Sequence, residues 1–227
     1  DIQRYGGKVY VVVNGSSTIE VISGVTGVSI KQISMEEGGV PKQPRSLAFY
    51  QDKILVSCYD GFVDVIDTSS LEVEQRILVG SNPEGMAVSN DKLFVANSGG
   101  LNFPNVDSTV SVVNLSTFTE ELKVTVGKNP GGVEVDDQGD IYVITRGDYG
   151  TIPSRLNKIN PVSYATEQFS FDASSITRLN SSFLIGYSNF STGENEIGLF
   201  NPMGEVMTTP TFIDASAIET VYGSHTI

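Results

Sequence analysis

Apolar and polar positions alternate along this chain in short runs, each closed by turn-forming residues. "TIEVISGVTG" (18–27), "FVDVIDTSSL" (62–71), "TVSVVNLSTF" (109–118), "RLNKINPVSY" (155–164) and "EIGLFNPMGE" (196–205) follow one order, apolar, any residue, apolar, apolar, turn, with Lys158 in the third place of the fourth run. Their first alternating apolar residues, Ile19, Val63, Val110, Leu156 and Ile197, are 44, 47, 46 and 41 residues apart. A spacing that regular is a structural repeat.

Three further elements recur with it. Upstream of each run lies "KVYVVV" (8–13), "KILVSC" (53–58), "KLFVAN" (92–97), "DIYVIT" (140–145) or "SFLIGY" (182–187). Before that come "PRSLAFY" (44–50), "PEGMAVS" (83–89), "PGGVEVD" (130–136), and the weaker "SSITRLN" (174–180) and "SAIETVY" (216–222). Segments such as "EVEQRILVG" (72–80) and "EELKVTVG" (120–127) complete the unit. Four short strands per unit, with Gly, Pro, Asn, Asp or Ser at the joints, predict an all-β protein: a β-propeller of four-stranded antiparallel blades. The rival is a solenoid, whose period is usually shorter or helical, and no stretch here has a 3.6-residue period.

About five repeats are expected in one domain, with units near 8–50, 51–89, 90–136, 137–180 and 181–222. On this reading the chain opens in the second strand of one blade and ends in the first strand of another. That phase fits a ring closed by a blade shared between the termini, and equally a cut through a longer ring; the incomplete copy is favoured. Alternating residues Val9, Val11, Ile54, Val56, Leu93, Val95, Ile141 and Val143 should be buried between blades.

The wording of the units is itself informative. "PEGMAVSNDKLFVANSGG" followed by "STVSVVNLSTFTEELKVTVGKNPGGVEVD" resembles the YVTN (YncE-like) propeller repeat, with "LFVA" and "IYVI" in the tetrapeptide's slot. "CYDGFVDVIDTSSLEVEQRILVGSNPEG", "VANSGGLNFPN" and "ITRGDYGTIPSRL" resemble surface-exposed propeller lipoproteins of Bacteroidetes. Some members of that group bind cobalamin together with a TonB-dependent outer-membrane transporter. The resemblance implies a seven-bladed ring, an extracytoplasmic place on the cell surface, a corrinoid or other small ligand, and such a transporter as partner. The lipidated N-terminal Cys of that group and about two of its blades are not found in this sequence, so surface anchoring is implied by the resemblance alone.

Connectivity assigns the loops to faces. In an antiparallel blade the loops between second and third strands share a face with the crossings between blades. That face collects "NGSS" (14–17), "DG" (60–61), "NSGGLNFPNVDS" (97–108), "RGDYGTIPS" (146–154) and "YSNFSTGEN" (187–195), with crossings "PKQPR" (41–45), "SNPEG" (81–85) and "KNPGG" (128–132). Three of the loops are long and lie on consecutive blades, and binding residues concentrate on long loops of rigid scaffolds. They carry Asn97, Asn102, Phe103, Asn105, Arg146, Asp148, Tyr149, Tyr187, Asn189 and Phe190. Aromatic bodies beside amide and guanidinium groups suit a flat, amide-decorated ligand or a protein partner. The alternative for Phe103, Tyr149 and Phe190 taken singly is a plug folded over its own blade. Arg45 and Glu84, at the starts of inner strands, complete the candidate set.

Composition narrows the chemistry. A formal net charge of −13, with the acids scattered, repels phosphate backbones and argues against nucleic acid. No apolar run approaches the ~18 residues of a membrane helix. The single cysteine, Cys58, excludes an internal disulfide and a Cys-based zinc cluster; it reads as a buried apolar side chain at a strand end. A Ser-His-Asp triad would have to use the lone His225, near the end of the chain. A channel metal would have to be held by Arg45, Glu84, Gly131, Ser174 and Ser216, a set with one carboxylate. "VDDQGDIY" (135–142) reads as a hairpin turn rather than a calcium loop, and the NGS, NLS, NSS and NFS sequons are no more than chance supplies. The expectation is therefore a non-enzymatic protein with no cofactor and no metal. Two function classes stay open, ligand capture and a protein-interaction scaffold, with a metal-dependent lactonase-type hydrolase a distant third.

Overall fold

The computed structural model describes residues 1–188, 193 and 195–208. Five four-stranded antiparallel sheets follow one another along the chain. The first comprises β1 (Ile2–Tyr5), β2 (Lys8–Val13), β3 (Thr18–Ser23) and β4 (Ser29–Ser34). A small hairpin, β5 (Glu36–Glu37) and β6 (Val40–Pro41), leads to the second, β7 (Pro44–Tyr50), β8 (Lys53–Cys58), β9 (Phe62–Asp67) and β10 (Val73–Leu78). The third holds β11 (Pro83–Ser89), β12 (Lys92–Asn97), β13 (Thr109–Asn114) and β14 (Thr119–Thr125). The fourth holds β15 (Pro130–Val135), β16 (Ile141–Thr145), β17 (Arg155–Ile159) and β18 (Thr166–Gln168). The fifth holds β19 (Ser175–Leu179), β20 (Ser182–Ser188), β21 (Asn195–Asn201) and β22 (Val206–Thr208). Helix is confined, among the described residues, to two single 3-10 turns, Asn14–Ser16 and Gly100–Asn102. This is the arrangement that the repeat predicts, five propeller blades.

The second, third and fourth blades bury both faces because their second strands are apolar at successive positions, and these point alternately to the two neighbours. Ile54, Val56 and Cys58 pack with Tyr10, Val12 and Ile19 of the first blade. Leu55 and Val65 turn the other way, toward Leu93 and Val95. Phe94 and Val112 meet Ile141 and Val143, while Tyr142 and Ile144 meet Phe183 and Ile185. Cys58 is fully buried, and burial pushes its thiol above the ordinary range, as suits an apolar core residue.

Two expectations need correction. The first sheet starts one strand earlier than the apolar pattern suggests: Ile2 pairs with Val11 and Tyr5 with Lys8, so β1 is the first strand of that blade. "IQRY" has little apolar signal to betray a strand. Val9 and Val11, expected to be buried, are only half-buried. They occupy the face turned away from the second blade, where no other blade packs among the described residues.

The inner strands of all five blades line one cavity of about 480 Å³, bordered by Gln3, Ser46, Met86, Glu134 and Thr177 among others. Around it the crossings repeat a backbone device. Gln43, Asn82 and Asn129 each precede the proline that opens an inner strand, and each has a left-handed φ (56°, 46° and 57°). Their carbonyls accept the N–H groups of Tyr59, Ser98 and Arg146, which ties the loops after the second strands of these three blades to the crossings beside them.

Candidate functional site

The site begins with a β-bulge. In β7, β11 and β15 the register slips between Pro44 and Leu47, Pro83 and Met86, and Pro130 and Val133. The displaced residues, Arg45, Glu84 and Gly131, sit where three inner strands enter the channel. A bulge re-aims side chains, and here it aims them at the mouth. The second strand supports it: Ser57 Oγ accepts the Ser46 N–H (3.1 Å) and donates to the Glu84 carbonyl (2.6 Å).

At this mouth Glu84 is shared. Arg45 donates to its carboxylate from Nη2 (3.2 Å) and Nε (3.4 Å), and Arg146 Nη1 lies 3.8 Å away on the other side. Tyr59 donates its hydroxyl to Glu84 Oε1, and the Arg45 guanidinium stacks 4.6 Å from the Tyr59 ring centroid. Burial, then the bond to Glu84, raises the Tyr59 phenol above its ordinary range, so it remains a donor. Arg146 reaches this position by lying across a glycine: a Cβ on Gly131 would stand 2.6 Å from its Cζ. The sequence thus supplies the cation from one blade's loop and the room for it from the same blade's inner strand.

Outside this cluster stand the two described long loops. Residues 98–108 are stitched to the neighbouring crossings: Leu101 N–H donates to Asn82 Oδ1, Gly99 N–H to the Ser81 carbonyl, and Asn129 N–H to the Asp107 carbonyl. Residues 146–154 close on Asp148, whose Oδ1 accepts the Gly150 and Ile152 N–H groups (3.0 and 2.8 Å). Those bonds, that from Ile152 first, hold the Asp148 carboxyl below its usual value of 3.8. The turn demands Gly147, at φ +70°, where a Cβ would lie 1.9 Å from the Ile152 carbonyl oxygen. Both loops carry an aromatic tip. Phe103 and Tyr149 are 57% and 62% exposed with centroids 6.4 Å apart, and Asn129 Nδ2 donates to the Tyr149 hydroxyl (3.0 Å). Neither ring is a plug over its own blade.

The candidate residues thus divide. Arg45, Glu84 and Arg146 meet at the mouth, with Phe103 and Tyr149 above, and Asn102 and Asn105 exposed on the same loop as Phe103. Asn97 is corrected: it is fully buried, accepting from Gly80 N–H and donating to Thr109 and Ser111, because the loop leaves the strand only after it. Asp148 turns its carboxylate to its own loop, accepting from Gly150, Thr151 and Ile152. Tyr187 is half-buried at the end of β20. Asn189, Phe190, Ser216 and His225 lie outside the described residues.

Tyr59 escaped the sequence reading, hidden in a tight "YDG" hairpin; its equivalence to Arg146 at the end of a second strand was the available signal. A second polar cluster was missed as well. Asp64, fully buried, accepts from Lys42 (2.8 Å) and Arg76 Nε (2.8 Å), and Arg76 continues to Glu37 (2.6 Å) and Asp60. The hairpin turn "GG" at 38–39, both residues with positive φ, brings Glu37 there. "VDDQGDIY" forms a turn in which Asp136 Oδ1 accepts the Gln138 and Asp140 N–H groups. Among the described residues no group of three or more His, Cys, Asp or Glu side chains is placed to hold a metal ion.

Comparison with solved structures shows what the geometry leads one to expect. A chain of the Kuenenia stuttgartiensis hydrazine synthase matches with a TM-score of 0.75 at 15% identity, over 89% of this chain and 62% of that one. A chain of the mitotic checkpoint complex matches at 0.73 and 9% identity, over 94% and 64%. The RRP9 WD40 repeats match at 0.70 and 10% identity, over 88% and 58%. The fold is a β-propeller. This propeller chain spans less than two thirds of the length of each of the three. No family model matches it, and no curated protein does.

Proposed function

We propose that this propeller is a non-enzymatic binding protein whose upper face, built by the long loops after the second strands, captures a flat ligand. One observation carries the reading: Phe103 and Tyr149, from neighbouring blades, expose two rings 6.4 Å apart, and Tyr149 is bonded to Asn129, whose carbonyl accepts the N–H of Arg146 in the Arg45–Glu84–Arg146 cluster. A pocket that combines apolar faces with a few placed polar groups is what a small ligand needs, and loops already fixed by hydrogen bonds lose little entropy on binding. A corrinoid is the ligand proposed. Its macrocycle would lie on the rings, and its amide arms would meet Asn102, Asn105 and Arg146. That choice rests on the resemblance of "VANSGGLNFPN" and "ITRGDYGTIPSRL" to the Bacteroidetes surface propellers, as do the proposed outer-membrane transporter partner and the place on the cell surface.

The second reading is a protein-interaction scaffold without a small ligand. It draws on the further exposure of Leu101 (65%) and Ile152 (39%) on the same two loops, which widens the apolar surface beyond what one small molecule covers. Isothermal titration of the intact protein with cyanocobalamin separates the two. Saturable binding supports ligand capture; its absence moves the assignment to the scaffold.

A further inference from the structure

The two arginine clusters of the upper face differ in their charge balance. Lys42 and Arg76 are two cations facing three carboxylates, those of Glu37, Asp60 and Asp64. Arg45 and Arg146 are two cations facing one, that of Glu84. In a protein whose formal charge is −13, Glu84 is, among the described residues, the one side-chain ion-pair partner of both guanidiniums.

Donors are in excess as well. A guanidinium has five N–H groups, and strong charge-assisted bonds to carboxylate run near 2.7–2.9 Å. The bonds from Arg45 are 3.2–3.4 Å long, and among the described residues the Arg146 guanidinium makes only its 3.8 Å ion pair. Both side chains are about one-third exposed, whereas the Glu84 side chain beneath them is 11% exposed. Glu84 relieves the repulsion that would drive the two guanidiniums apart, and it leaves their outer edges open. Gly131 and the Tyr59 ring fix the two positions.

We infer that Arg45 and Arg146 form an oxyanion clamp, taking a carboxylate or phosphate of a ligand whose planar body rests on Phe103 and Tyr149. This rests on the proposed ligand-binding role of the upper face and adds the chemical class: a planar molecule bearing an oxyanion arm. Guanidinium pairs recognise such groups by their forked geometry, which a lysine would not reproduce.

The test uses flavin mononucleotide and riboflavin, one planar ring system with and without a phosphate, titrated into the intact protein at low ionic strength. The clamp predicts at least ~10-fold tighter binding of the mononucleotide, a difference that Arg45→Gln and Arg146→Gln abolish by bringing the mononucleotide to the affinity that riboflavin has for the same variant. Glu84→Gln should tighten the mononucleotide by several-fold, a gain that misfolding cannot imitate. Equal affinity for the two probes, a preference that survives both arginine substitutions, or no gain from Glu84→Gln overturns the clamp. Failure of both flavins to bind overturns it too. Cyanocobalamin run in parallel then distinguishes the outcomes: binding there leaves the upper-face reading standing without its clamp, and none removes both.

Discussion

Phe103 and Tyr149 belong to different blades, yet their rings lie 6.4 Å apart at a tilt of 44°. Each is held there from below, Phe103 by a loop bonded to the Asn82 and Asn129 crossings, Tyr149 by the Asn129 side chain and the Asp148 turn. Two large rings left in water are a cost to a monomer unless something covers them.

The position of Arg146 depends on Gly131. In Gly131→Ala the new methyl would meet the far end of a flexible side chain, which can swing into solvent. The fold should therefore melt within ~1 kcal/mol of the wild type, while ligand affinity falls as far as in Arg146→Ala. Thermal melts and titration on the same sample check both halves.

Asp64 is buried with two cations on it. Asp64→Asn keeps the shape but leaves Lys42, itself 7% exposed, with only Glu37 at 4.0 Å. Loss of about 3–5 kcal/mol is expected, as for other buried pairs robbed of one partner. Urea denaturation measures it.

The Asp148 turn gives binding an acid limit. Its carboxyl is depressed in the folded state, so its contribution is full above the ordinary value of 3.8 and disappears as pH falls through the lower, folded value. Affinity should hold level from pH 7 to about 5 and fall only in stronger acid. Asp148→Ala should be weaker than the wild type from pH 7 to about 5, lose this acid step, and converge with the wild type in stronger acid.

Tyr10 offers an alkaline test. Among the described residues its buried hydroxyl has no hydrogen-bond partner, and burial raises its ionisation above 10. A raised folded value means stability that is full below pH 10 and lost as pH climbs through the folded value. Tyr10→Phe removes an unsatisfied polar group, so it should stabilise by up to about 1 kcal/mol at pH 7. It should also move the alkaline unfolding midpoint upward, as circular dichroism against pH would show.

The blades were legible because a buried strand advertises itself: "KILVSC", "KLFVAN" and "IYVIT" leave no doubt about core positions, and Ile54, Leu93 and Ile141 are fully buried. β1 was not legible, since a short inner strand of Gln, Arg and Tyr carries no apolar pattern. The loops were legible as loops, whereas their contents were only partly so. Arg45, Glu84 and Arg146 are far apart in sequence and meet through three-dimensional closure of the arc. Asn97 looked like a tip residue because loop length hides where a strand stops pairing; it pairs to the end, opposite Thr109. Tyr59 was lost because a two-residue turn seemed too short to contribute.

The central claim is that the upper face binds. Its most direct measurement is titration of cyanocobalamin into the intact protein and into alanine variants of both mouths. Wild-type protein should bind; Tyr149→Ala and Arg146→Ala should each lose ~2 kcal/mol or more, and Asp137→Ala, on the opposite mouth, should lose nothing measurable. Binding that Asp137→Ala weakens as much as Tyr149→Ala does, or that Tyr149→Ala leaves untouched, would contradict the account.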